Sequence, residues 1–186
     1  MMARVLTSIA LAAVLGWLGF ALLSLLADAQ VAALAGLVTG IGCILRLRDT
    51  IVLRGMVALL APFGVMLPAL TLRHMGVALG LPIPGFGTVE LLVFLVVHVA
   101  FLAASMGVLR VDIYRLGYAP IPVAAMVLVV CAYAALTGNW FVALVAVLGQ
   151  VGWVMHWGSS NWFDYVLHAL LVPVVAVVLI LRLLGI

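Results

Sequence analysis

Residues 88–109 read TVELLVFLVVHVAFLAASMGVL. One acid and one imidazole interrupt a run that otherwise matches the roughly 20 apolar residues needed to cross a bilayer as a helix. The apolar positions are continuous, whereas a membrane barrel strand would alternate. Thr88 and Glu90 fall in the first turn, where an acid suits the helix dipole. The stretch therefore predicts a membrane-spanning helix with His98 near its middle.

The rest of the chain is built the same way. Of 186 residues, 69% are hydrophobic and 7% charged, and the mean hydropathy is +1.50. A water-soluble domain carries about a quarter charged residues, so the exterior of this chain must face lipid. Further apolar runs cover Val5–Ala27, Val31–Leu45, Ile51–Leu72, about Tyr118 to Leu136, Trp140–Trp157 and Trp162–Leu184. They predict an all-α, polytopic transmembrane helical bundle of about seven spans, with residues 1–186 forming a single integral membrane domain.

Glycine and proline punctuate these runs. Pro62 and Pro68 predict kinks in the third run. The stretch 80–87, GLPIPGFG, reads as a connecting loop, and Thr137-Gly138-Asn139 and Gly158-Ser159-Ser160-Asn161 as tight turns. Ala27-Asp28-Ala29 has the small-x-small form of a cleavage site, but the run before it is long for a signal peptide, and an uncleaved first helix is expected. Gly36 and Gly40 form a GxxxG pair, which permits close helix approach within the chain or between chains. The pair is a candidate face for a homo-oligomer or a larger membrane complex.

All eight basic residues are arginine. A cytoplasmic N-terminus puts Arg4, Arg46, Arg48, Arg54, Arg110 and Arg115 on the inner side and leaves Arg73 and Arg182 outside, in keeping with the positive-inside rule. Trp140, Trp157 and Trp162 lie at predicted helix ends, where aromatic belts form. The expected location is a plasma membrane of the bacterial inner-membrane type, with lipid as the surrounding partner. The arginines do not cluster with aromatics on a polar stretch, which argues against nucleic acid. Cys43 and Cys131 sit inside apolar runs and read as small buried residues.

Ionisable groups at membrane depth are costly and mark function by default. Asp164 and His168 are spaced i, i+4 and share a helix face; a carboxylate there can fix the imidazole tautomer. The short turn at 158–161 brings His156 near in sequence, so His156, Asp164 and His168 are a candidate metal site, against the plainer reading of an interfacial helix start. Glu90 and His98 differ by about 80° around one helix and cannot touch. Glu90, His98, Asp164 and His168 together predict a proton path across the membrane, provided that the helices carrying His98 and His168 are neighbours. Gln150, with Trp153 and Trp157, forms a stripe that suits either a narrow polar pore or helix packing. His98 and His168 are also the one pair available to ligate haem b.

No HExxH, GxSxG, Walker A or GxGxxG pattern occurs. Ser159 and Ser160 lie near Asp164 and His168 in sequence, but without an oxyanion feature, so enzymatic activity stays open. The function expected from these residues is small-solute or ion transport, by a channel or a proton-coupled transporter. The alternative is a membrane-embedded subunit of a larger complex that binds haem or a metal through histidines.

Overall fold

The computed structural model describes residues 2–47, 49–60 and 64–185. Arg48 and Pro62 lie outside the described residues. The described residues are helical with no strand: α1 Met2–Leu23, α2 Ala29–Arg46, α3 Ile51–Leu60, α4 Met66–Ala78, α5 Thr88–Ser105, α6 Pro120–Thr137, α7 Trp140–Val154, α8 Phe163–Val166 and α9 Leu171–Leu183. A 3₁₀ turn, Tyr114–Tyr118, precedes α6.

Five segments are long and apolar enough to cross a membrane: Ala3–Leu23, Ala29–Arg46, Thr88–Ser105, Pro120–Thr137 and the interrupted stretch Phe163–Leu183. Ile51–Leu60 and Trp140–Val154 are apolar but shorter. The outward faces carry the composition that lipid requires, with Leu34, Leu37, Val38, Val93, Val96, Val97, Leu128, Val129 and Val177 all exposed. In water such a surface would be an aggregation site.

The third and seventh runs are not the continuous helices expected from hydropathy. The third is divided into α3 and α4, and Pro68 lies in the first turn of α4. The seventh is divided by Leu167–Leu170, and Pro173 lies in the first turn of α9. Proline has no N–H to donate, and the first helical turn has no use for one. Both prolines therefore mark a fresh helix start instead of bending an existing helix. Pro120 at the head of α6 follows the same rule.

By internal packing the chain forms two compact units, Met1–Ile83 with Val151–Ser159, and Pro84–Gln150 with Ser160–Ile186. In the first unit α1 packs along α2 and against α4. Gly36 and Gly40 are buried in that contact. A Cβ on Gly36 would lie 2.5 Å from the Gly16 carbonyl oxygen, and one on Gly40 would strike the Ala12 carbonyl. The glycine pair thus brings two helices of one chain into backbone contact, where lipid offers no hydrophobic drive and close packing must hold the helices. Asp28 N-caps α2, its Oδ1 accepting from Gln30 N–H and Val31 N–H at 3.0 Å each.

The second unit packs α5 against α9 and seats the 3₁₀ turn against α5 and α6. Its core includes Val123, Val127, Phe141, Trp162, Tyr165, Leu171 and Val175, with Tyr165 fully enclosed.

Candidate functional site

A buried polar joint organises one end of the second unit. Asn161 is fully buried. Its Nδ2 donates to the Tyr114 carbonyl at 2.8 Å, and its Oδ1 accepts from Phe163 N–H at 2.9 Å. Trp162 N–H donates to the Gly117 carbonyl at 2.9 Å. A Cβ on Gly117 would come within 2.7 Å of Phe163 Cδ2 and overlap the Asn161 amide, so only glycine fits there. The joint sets Tyr114 beside α8, where its hydroxyl donates to Asp164 Oδ1 at 2.8 Å. Burial, followed by that hydrogen bond and the negative charge of Asp164, raises the Tyr114 phenol above its ordinary range. Tyr114 remains a donor and Asp164 an acceptor.

From this joint an aromatic column leads to His98. Phe163 and Phe101 have ring centroids 4.7 Å apart, Phe101 and His98 6.4 Å, and His98 and Phe94 5.2 Å. His98 is 2% exposed, and its Nδ1 has no hydrogen-bond partner among the described residues. Such a buried polar atom forfeits a hydrogen bond it would have in water. His168 is close enough to act on His98 electrostatically. It sits in the break between α8 and α9, where its Nδ1 accepts from Leu170 N–H at 3.1 Å. That bond assigns the proton of the neutral imidazole to Nε2.

Helix α5, which bears His98, and α9, which follows the break holding His168, are neighbours. Arg182, near the end of α9, donates from Nη2 to the Phe86 carbonyl at 2.8 Å and from Nη1 to Thr88 Oγ1 at 3.1 Å. The end of α9 thus meets the start of α5, and the two run antiparallel. Counting back at about 1.5 Å per residue puts the break roughly one turn beyond the level of His98.

Glu90 lies about 12 Å along the α5 axis from His98, by the same helical rise. Its Oε2 accepts from Gly87 N–H at 2.6 Å, and its Oε1 accepts from the Tyr133 hydroxyl. Glu90, Tyr133, Thr137 and Asn139 line a cleft of about 400 Å³. Asn139 is 3% exposed, and neither Oδ1 nor Nδ2 has a hydrogen bond among the described residues.

The remaining candidates fall elsewhere. Gln150 is half-buried near the end of α7. Trp157 donates from Nε1 to Thr7 Oγ1 at 3.1 Å, which anchors it to α1. His156 is exposed and adopts φ +50° just past α7. Its N–H bonds to Trp153 O at 3.1 Å, and Trp157 N–H bonds to Gly152 O at 3.0 Å. These two bonds form a Schellman motif, whose left-handed residue is usually glycine. His156 thus closes the C-terminal end of α7 and belongs to the first unit, whereas Asp164 and His168 belong to the second. Among the described residues no group of three or more His, Cys, Asp or Glu converges as metal ligands.

Four polar residues escaped the sequence reading. Asn139 and Asn161 read as ordinary turn residues, Tyr133 as one apolar-run residue among many, and His74 lies just past the third apolar run. His74 in fact accepts from Trp17 Nε1–H at 3.1 Å. The contacts Asn161–Tyr114, Tyr133–Glu90 and His74–Trp17 have no signature in local spacing, because each joins positions far apart in the chain. No family model, no characterised protein and no solved structure matches the chain.

Proposed function

We propose that this chain moves a small solute or ion across a membrane, coupled to protons, along the α5–α9 pair. The observation that carries this reading is His98: an imidazole buried at mid-helix with an unpartnered Nδ1, set between Glu90 toward one end and the Tyr114–Asp164 pair toward the other. A neutral imidazole takes a proton on one nitrogen and releases one from the other. A second histidine in a helix break supports the reading, since non-helical backbone at membrane depth is tolerated where it is enclosed by protein or lines a cavity.

In this proposal the chain crosses about seven times, the third and seventh crossings being interrupted helices. Its N-terminus is cytoplasmic, in a membrane of the bacterial inner type. Glu90 then lies toward the outside and Asp164 toward the inside. The test is reconstitution of the purified chain into liposomes under an imposed pH gradient. A transporter dissipates the gradient by itself. Rates equal to those of protein-free vesicles would remove this reading and favour a subunit that needs its complex.

A further inference from the structure

The cleft at the start of α5 holds polar capacity that the protein leaves unused. Glu90 accepts two hydrogen bonds, from Gly87 N–H and the Tyr133 hydroxyl. A carboxylate has about four acceptor positions, so even with the Asn139 amide beside it this one keeps room for a further donor, and no cationic side chain pairs with it among the described residues. Asn139 adds a buried amide whose Nδ2 is near enough to act on the Glu90 carboxylate, without a hydrogen bond of full geometry, and whose Oδ1 meets no donor among the described residues. Its backbone is engaged, since Asn139 N–H bonds to Thr137 Oγ1 at 3.4 Å. Buried polar groups are normally satisfied, and an amide 97% enclosed beside a cleft whose Oδ1 meets no donor implies that something else completes it.

The chemistry of that completion is restricted. A negative ligand would meet the Glu90 carboxylate. A purely apolar ligand would leave Asn139 Oδ1 and the charge unmet. A divalent metal needs several oxygen ligands, and no set of three acids or histidines is present among the described residues. A cleft of about 400 Å³ exceeds the size of a bare monovalent ion and falls in the lower range of small-molecule sites. A protonated amine fits all four conditions. Its N–H groups satisfy the open carboxylate positions and Asn139 Oδ1, while Asn139 Nδ2 can donate to the Glu90 carboxylate.

We infer that the Glu90–Tyr133–Asn139 cleft binds a small primary ammonium cation, as the cargo site at one end of the α5–α9 path. The inference rests on the transport reading for the word cargo, but binding itself does not.

The test is calorimetric titration of the full chain in mild detergent with n-propylammonium chloride, n-propanol and potassium chloride at matched ionic strength. Saturable one-to-one binding is expected for propylammonium alone. Glu90→Gln keeps an oxygen for the Gly87 N–H yet removes the charge, and should weaken binding about tenfold or more, the scale of one charge-assisted hydrogen bond. Asn139→Ala should weaken it as well, with helix content by circular dichroism unchanged. Should a variant fail to fold, the wild-type comparison of propylammonium with propanol and potassium still decides. No saturable heat, an equal response to propanol or potassium, or wild-type affinity in Glu90→Gln would overturn the inference. Binding without liposome flux would sink the transport reading and keep this site; flux without propylammonium binding would do the reverse.

Discussion

Tyr114 and Asp164 are fifty residues apart in sequence and share a hydrogen bond of 2.8 Å, which ties the turn before α6 to the first residues of the broken helix. The bond fixes one end of the segment that carries His168. Tyr114→Phe removes a donor to a charged acceptor and should cost about 1–2 kcal/mol, read as a lowered thermal midpoint in detergent.

The same pair has a pH signature. An unfolded tyrosine titrates near pH 10, while folded Tyr114 holds its proton to higher pH. Between those two pH values the unfolded chain binds fewer protons than the native one, so stability falls as pH rises through that range. The contribution is complete at neutral pH and is lost in the alkaline range. Tyr114→Phe should show a shallower alkaline loss than wild type; parallel curves would contradict the assignment.

Gly117 tolerates no side chain. Gly117→Ala would push on Phe163 and the fully buried Asn161 and should destabilise the second unit by about 3 kcal/mol or more, at the upper end of overpacking costs. Near-UV circular dichroism reports this directly, through the aromatic column of Phe101, Tyr114, Trp162 and Phe163.

Gly36 makes its contact inside the chain, so Gly36→Leu should separate α1 from α2 and lower the thermal midpoint. Light scattering should report an unchanged oligomeric mass. A change in mass without loss of stability would place the glycine face between chains instead.

His156 holds a left-handed backbone angle that glycine adopts without steric cost. His156→Gly should leave the protein as stable or raise stability by up to about 1 kcal/mol, and His156→Val should lower it. A large loss on conversion to glycine would point to a role for the imidazole itself.

Hydropathy was a good guide to the helices whose ends coincide with ordinary stop signals. The run from Val31 to Leu45 corresponds to α2, and the one from Tyr118 to Leu136 to α6, within a few residues. It failed at Leu167–Leu170, where Leu, His, Ala and Leu are all compatible with a helix and hydropathy registers no break. Pro173 was the available signal, because a proline in a first turn forces a start shortly before it. The i, i+4 spacing of Asp164 and His168 implied a shared helix face. The break removes that relationship, and Asp164 turns to Tyr114 while His168 binds the Leu170 amide. Glu90 and His98 could be singled out as ionisable groups in an apolar run. Their surroundings could not, because Tyr133, Asn139 and Phe163 reach them through tertiary packing alone.

The most direct test of the proton path is the rate of pH-gradient dissipation in liposomes carrying wild type or His98→Ala, with matched protein incorporation. Fast dissipation is expected for wild type and a protein-free rate for His98→Ala, with Asp164→Asn behaving likewise. Wild-type rates in both variants would contradict it.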